Sequence, residues 1–209
     1  MRSIFKEESP YKPELLYSTK RVFYNFPMKI TELMIRWVPT LLAFPIGGAI
    51  AKIAFGGASN VGKSVGGGLI VGLTVGLIQF IALKKYGVST TWIAATAIAT
   101  TLAALINSYA FSFKFDSASL TGSGLVAGLL VGVAQALSQS RDIKFAFVWT
   151  VSTMLAWALA WFITSKVIVD PEAQYQIFGS SGALVATVGL GLVLKYALPW
   201  INSSANLIK

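Results

Sequence analysis

Residues 64–83 read SVGGGLIVGLTVGLIQFIAL, a run of twenty positions without a charged side chain. A helix of about 20 apolar residues is long enough to cross the ~30 Å hydrocarbon core of a bilayer. Within the run, Gly68, Gly72 and Gly76 recur at every fourth position, which places them on one face of a helix. The stretch therefore predicts a transmembrane helix with a smooth face that another helix can approach closely.

Apolar stretches of similar length recur along the chain and predict six transmembrane helices. Their predicted bounds are 36–55, 64–83, 90–112, 120–138, 145–168 and 179–200. Short connections make consecutive helices antiparallel neighbours. The predicted fold is an all-α integral membrane protein with three parts: an arm over 1–35, a six-helix transmembrane domain over 36–200 and a tail over 201–209.

Residues 13–37 combine charged residues with apolar residues at helical spacing, namely Ile30, Leu33, Met34 and Trp37. This pattern predicts an amphipathic helix on the cytoplasmic membrane surface, interrupted at Pro27. The alternative is a tail that a partner protein orders.

Composition and charge agree with a membrane setting. The chain is 55% apolar and only 12% charged, whereas soluble domains carry about 25% charged residues. In the predicted topology, thirteen of the 17 lysines and arginines fall on the side of the termini, so both termini are expected in the cytoplasm. The net charge of +9 is then explained by topology and by attraction to lipid headgroups, not by nucleic-acid binding.

Tryptophans mark the predicted cytoplasmic ends of the helices. Trp37, Trp92 and Trp149 begin the odd-numbered spans, and Trp200 ends the last. Such positions are typical of the membrane–water interface, where we expect these rings to lie.

An internal repeat relates the spans to one another. Two stretches align without gaps, 56 positions apart: GLIVGLTVGLIQ (68–79) and GLVAGLLVGVAQ (124–135). A third, degenerate copy is ALVATVGLGLVL (183–194), which has Leu194 in place of the glutamine. The repeat predicts three helical hairpins around an axis along the membrane normal, each with a tryptophan-started helix followed by a glycine-striped one. The glycines expected to pack helices together are Gly68, Gly72, Gly76, Gly124, Gly128 and Gly132.

A few polar residues in the spans are candidates for a site. Gln79, Asn107 and Gln135 either cross-link helices through hydrogen bonds or face a pore or a bound molecule. Lys52 is expected to extend to the membrane surface, with an anionic lipid, pigment or substrate as the alternative partner. No cofactor is required, although bound lipid, carotenoid or chlorophyll is compatible with the pattern.

The repeat resembles one in multi-pass bacterial proteins of uncharacterised function that are common among cyanobacteria. They share Gly-x-x-x-Gly-x-x-Gln followed by apolar residues, basic residues and a tryptophan-started helix. The resemblance covers 68–106 best, through GLTVGLIQFIALKK and TTW, and 124–161 less well. The resemblance implies a bacterial inner membrane or a thylakoid membrane, but it does not indicate an activity.

The stretch GASNVGKS (57–64) has the spacing of a nucleotide-binding phosphate loop. A working loop follows a buried strand, whereas this one joins two predicted membrane helices. We therefore expect a flexible turn that binds no nucleotide.

Catalytic groups are scarce. The chain has no histidine and no cysteine, and no carboxylate falls within the predicted spans. We therefore expect a non-enzymatic accessory, structural or assembly subunit of a larger membrane complex, photosynthetic or respiratory, with membrane lipids and other membrane subunits as partners. The alternative is a small-solute transporter or channel along the pseudo-threefold axis.

Overall fold

The computed structural model describes residues 29–139, 142–167 and 179–203, and all regular structure in these ranges is helical. The α-helices are α1 (Ile30–Trp37), α2 (Ala43–Phe55), α3 (Val61–Leu83), α4 (Thr91–Ala110), α5 (Ser117–Gln139), α6 (Ile143–Val167) and α7 (Ser180–Ser203). Two 3-10 segments cover Val38–Leu42 and Lys84–Tyr86. Residues 1–28 of the predicted arm, 204–209 of the predicted tail and the side chain of Trp200 lie outside the described part.

Six segments of the described chain are long and apolar enough to cross a membrane. They are Ile30–Phe55, Val61–Tyr86, Thr91–Ala110, Ser117–Gln139, Ile143–Val167 and Ser180–Pro199. Within the described residues, the prediction of an all-α protein with six helices long and apolar enough to span a membrane is confirmed, and the composition of these helices indicates an integral membrane protein.

The first span begins earlier than the sequence predicted, at Ile30 instead of residue 36. Helix α1 runs through the 3-10 segment, which has Pro39 in its first turn, directly into α2. Leu33 and Trp37 are fully buried against the rest of the protein. The described end of the predicted surface helix therefore continues the first span, while residues 13–28 of that prediction lie outside the described ranges.

The extension of the first span brings a carboxylate into it. Glu32 lies in the first turn of α1 and forms an ion pair with Lys85, which follows α3. Both side chains are close to half exposed, so the pair lies at one end of the bundle. Glu32 thus lies outside the predicted span 36–55 but inside the longer apolar segment Ile30–Phe55.

Consecutive helices pack against one another, most extensively α3 against α4 and α5 against α6. Helix α7 packs on α6 and also contacts α1 and the segment Val38–Leu42. The last span thus lies against the first.

The outward faces of the glycine-rich helices carry rows of exposed aliphatic side chains, spaced four residues apart. The rows are Leu69, Leu73, Leu77 and Ile81 on α3, and Leu125, Leu129, Val133 and Leu137 on α5. Each row is the surface that hydrocarbon or an apolar partner would cover, because water would not solvate it favourably.

Polar side chains satisfy backbone N–H groups where two of the spans begin. The Asn60 side chain accepts a hydrogen bond from the Lys63 N–H at the start of α3, at 3.0 Å. At the start of α5, the Asp116 carboxylate accepts hydrogen bonds from the Ser119 hydroxyl and backbone N–H and from the Ala118 N–H. The Ser119 hydroxyl, followed by the backbone donors, lowers the pKa of the Asp116 carboxyl because these bonds favour its ionised form.

Candidate functional site

Two glutamines in the interior each accept a hydrogen bond from an indole N–H of the next helix. Trp92 Nε1 donates to Gln79 Oε1 at 3.1 Å, and Trp149 Nε1 donates to Gln135 Oε1 at 3.0 Å. All four side chains are buried. Because an indole N–H can only donate, it fixes which end of each amide is the oxygen.

The two glutamine–tryptophan pairs are joined through Gln135. Its Nε2 donates to Gln79 Oε1 at 3.1 Å and to Thr96 Oγ1 at 2.8 Å, while the Thr96 hydroxyl donates to the Trp92 carbonyl at 2.7 Å. We call Gln79, Trp92, Thr96, Gln135 and Trp149 the amide network. Both hydrogens of the Gln135 amide are used, so this residue has no donor left for a ligand.

Aromatic packing encloses the amide network. The Trp92 and Trp149 rings lie 5.6 Å apart between centroids, and Phe145 stacks on Trp149 at 6.2 Å and 6°. Trp37, Trp92 and Trp149 are all 0% exposed. These three rings therefore pack inside the bundle and do not face lipid, while their level at the membrane–water interface stays a prediction.

Trp37 forms the corresponding contact between the first and last spans. Its Nε1 donates to the Thr187 carbonyl at 2.7 Å. A backbone acceptor serves here because position 194, where the repeat predicts an amide, is a fully buried leucine. Thr153, which follows Trp149 by the same four positions that separate Thr96 from Trp92, has a buried hydroxyl without a hydrogen-bond partner.

The α3 glycines lie against the backbone of α4. A Cβ added at Gly72 would overlap Thr100 Oγ1 and lie 2.6 Å from the Ala97 Cα, and one at Gly68 would lie 2.8 Å from the Thr100 carbonyl oxygen. At Gly76 the nearest atom would be the Ile93 Cα, at 3.0 Å. This closeness lets the Thr100 hydroxyl donate across the seam to the Gly68 carbonyl at 2.8 Å.

The α5 glycines lie against α6 in the same way. An added Cβ would lie 2.6 Å from the Trp157 carbonyl oxygen at Gly124, 2.6 Å from the Thr153 carbonyl oxygen at Gly128 and 2.7 Å from the Thr150 Cα at Gly132. Each glycine-striped helix therefore makes its closest approach to the helix that follows it.

Asn107, the third predicted polar residue, does not join the glutamines. It lies three turns along α4 from Thr96, about 16 Å at 1.5 Å per residue. Its Nδ2 donates to the Ser123 carbonyl on α5 at 3.2 Å. The sequence-predicted candidates thus belong to two separate places, and Asn107 lines a cavity.

This cavity has a volume of about 450 Å³ and lies at the end of the bundle formed by the α2–α3 and α4–α5 connections. Its wall is mostly apolar and aromatic, with several small polar residues. The wall includes Ser64, Val71, Thr100, Ala103, Asn107, Ser108, Phe111, Phe113, Lys114, Phe115, Leu120, Ser123, Trp157 and Trp161. Sequence reasoning named Asn107 as a possible contact of a bound molecule but did not predict the rest of this wall, because it comes from α3 to α6 and two connections.

Two other sequence candidates lie away from the amide network. Lys52 is exposed in the last turn of α2. The phosphate-loop lookalike begins in the turn after α2, and its residues Gly62, Lys63 and Ser64 already belong to α3. A helix therefore precedes this stretch, where a nucleotide-binding loop has a strand.

The described residues offer little for acid–base or metal chemistry. Within 29–139, 142–167 and 179–203, no group of three histidine, cysteine, aspartate or glutamate residues is arranged to hold a metal ion. The described carboxylates are Glu32, Asp116 and Asp142, and none of them lines the cavity.

Comparisons of the chain with protein-family models, with curated proteins and with solved structures found no match.

Proposed function

We propose that this chain is a non-enzymatic integral membrane protein that acts as a structural or accessory subunit of a larger membrane complex. The observation that carries the proposal is the amide network. Its amide and indole groups are buried and bonded to one another, which is how a packed core satisfies polar groups. A reactive centre would instead leave such groups turned toward a substrate.

The outer surface also supports a subunit role. The aliphatic rows on α3 and α5 give the bundle apolar faces that either lipid or the helix of a neighbouring subunit can cover. In lipid, such helices associate through close packing and not through a hydrophobic driving force.

The finer architecture that we propose has three repeated units around an axis along the membrane normal. The matching Gln79–Trp92 and Gln135–Trp149 bonds and the matching glycine seams support it. The third copy is supported by Gly191, where an added Cβ would lie 2.6 Å from the Trp37 ring. Because most lysines and arginines lie on the side of the termini, we place both termini in the cytoplasm. On the sequence resemblance, we propose a bacterial inner membrane or a thylakoid membrane.

Transport of a small solute is the second candidate, and the cavity favours it. A solute path that started in the cavity would have to continue toward the amide network, past the cavity residues Val71 and Thr100. One turn further along these helices, Val75 and Thr96 are fully buried. This packing favours a closed interior and therefore the subunit role.

The test is the native particle released by mild detergent. We expect a complex of defined stoichiometry, larger than one chain, with the same companion subunits by mass spectrometry in two unrelated detergents. A lone monomer that moves solute in liposomes, with flux abolished by Gln79→Leu or Gln135→Leu, would contradict the proposal.

A further inference from the structure

The cavity beside Asn107 has the size and lining of a ligand site. Its volume of about 450 Å³ falls within the ~300–1,000 Å³ typical of small-molecule pockets. Trp157 and Trp161 of α6 form part of the wall, and Leu120 and Val71 add aliphatic surface. Such a wall accommodates an apolar body.

Three aromatic rings from one connection complete the wall. The backbone of Ser112 and Phe113 has φ values of 47° and 58°, which are left-handed and unusual for residues with side chains. Through this reversal, Phe111, Phe113 and Phe115 all line the same cavity. Strained backbone of this kind costs about 1–3 kcal/mol per residue and clusters at ligand sites.

Asn107 lines the cavity, and one polar atom of its side chain lacks a partner. Asn107 Oδ1 is buried and accepts no hydrogen bond from any described residue. The orientation of the amide is fixed, since Nδ2 donates to the Ser123 carbonyl and a flipped amide would set two acceptors against each other. The unpaired atom therefore needs a donor.

Two of the hydroxyl groups that line the cavity already donate elsewhere. Thr100 Oγ1 donates to the Gly68 carbonyl at 2.8 Å, and Ser108 Oγ donates to the Ala104 carbonyl at 2.7 Å. Lys114 is the cation among the lining residues, and no carboxylate is among them. The lining therefore disfavours a cationic ligand, and a neutral hydroxyl is a donor that fits a buried amide oxygen.

We propose that this cavity binds a membrane-soluble molecule with an apolar body and a hydroxyl group that donates a hydrogen bond to Asn107 Oδ1. This site goes beyond the subunit role and does not depend on it. A chain with no companion subunits could bind the same ligand.

The test uses 10-bromodecan-1-ol and 1-bromodecane, two probes that differ in the hydroxyl group. Bromine quenches tryptophan fluorescence at short range, and Trp157 and Trp161 line the cavity. In nanodiscs of saturated phosphatidylcholine, the full chain should show saturable quenching, with the alcohol binding about tenfold more tightly than the bromoalkane. That factor corresponds to one hydrogen bond made by an otherwise unpaired buried acceptor.

Three variants separate the hydroxyl contact from general partitioning into lipid. Asn107→Leu should remove the preference for the alcohol, and Ala103→Leu should fill the cavity and abolish saturable quenching by both probes. Thr101→Val is the matched control, since its hydroxyl bonds within α4 to the Ala97 carbonyl, and it should bind as the unmodified chain does. Equal, unsaturable quenching by both probes in the unmodified chain would overturn the proposal. An undiminished preference for the alcohol in Asn107→Leu, or unchanged binding of the probes in Ala103→Leu, would also overturn it. If Asn107→Leu does not fold, the unmodified chain and Ala103→Leu decide between the outcomes.

Discussion

Gln135 Nε2 donates a hydrogen bond to Gln79 Oε1 at 3.1 Å, although the two residues are 56 positions apart in the chain. That separation equals the period of the sequence repeat, so equivalent positions of two copies meet in the interior. The contact joins α3 to α5, which are not consecutive helices. It therefore links helices that the glycine seams, which run between consecutive helices, do not connect.

Gln135→Leu should destabilise the protein more than Gln79→Leu. Gln135→Leu removes three hydrogen bonds of the network, whereas Gln79→Leu removes two and leaves the bond from Gln135 to Thr96 in place. Each change leaves one buried indole N–H without its acceptor. We expect a loss of about 1–3 kcal/mol in the free energy of unfolding for Gln135→Leu. Unfolding in mixed detergent–SDS micelles measures the loss, with Thr74→Val as a control whose hydroxyl bonds within its own helix. The reverse order of the two variants would contradict the network as described.

Gly72→Ala and Gly128→Ala should each destabilise the bundle by about 1–3 kcal/mol, the usual cost of overpacking. Their added methyl groups would meet backbone atoms of the next helix, which cannot move aside cheaply. Gly189→Ala is the matched control, since an added Cβ there meets nothing within 4 Å. Thermal unfolding in detergent compares the three variants, and equal stability of all three would refute the close seams.

Leu194→Gln tests the repeat directly. In the first two copies, the side-chain amides of Gln79 and Gln135 each accept a hydrogen bond from a tryptophan. The Gln135 amide also donates a hydrogen bond to Thr96. By this correspondence, an amide at position 194 could reach Trp37 and the unpartnered Thr153 hydroxyl. Leu190→Gln places the same amide at another buried position of α7. We expect Leu194→Gln to retain more stability in thermal unfolding, and equal losses in the two variants would count against a third copy.

Asp116→Asn should change how stability depends on pH. The pKa of the Asp116 carboxyl is lower in the folded protein than its unfolded value of about 3.9, so its stabilising effect is present above that value. The effect is lost as the pH falls through the lowered folded pKa. Asparagine caps a helix about as well but does not titrate.

Thermal midpoints from pH 7 to pH 3 measure the difference between the unmodified chain and the Asp116→Asn variant. Any advantage of the aspartate near neutral pH should shrink below about pH 4. A difference that stays constant over the whole range would show that the carboxylate contributes no charge-dependent stabilisation.

The sequence predicted the six spans because uninterrupted apolar runs of sufficient length have few alternatives to a membrane helix. It also predicted which face of α3 carries the glycines, since Gly68, Gly72 and Gly76 share one face by helical geometry alone. Which helix meets that face depends on tertiary packing. The structure sets it against the following helix, not the preceding helix of the same predicted hairpin.

The sequence did not predict that the tryptophan rings bind acceptors inside the bundle. A tryptophan at the end of a span suits either the membrane interface or a buried acceptor, and position alone does not separate the two. The discriminating signal was the spacing from Gln79 to Trp92 and from Gln135 to Trp149, which brings each pair to the same level of adjacent antiparallel helices. The cavity near Asn107 had no comparable signal, because its volume depends on how several helices and the reversal at Phe113 fit together.

The polar interior serves helix cohesion, and a double-mutant cycle on Gln79 and Gln135 tests this role most directly. The measured quantity is the free energy of unfolding of the unmodified chain, of each leucine variant and of the double variant. We predict a coupling energy of about 0.6–1.7 kcal/mol, the range for hydrogen bonds between membrane helices. Additive losses, with a coupling indistinguishable from zero, would contradict the account.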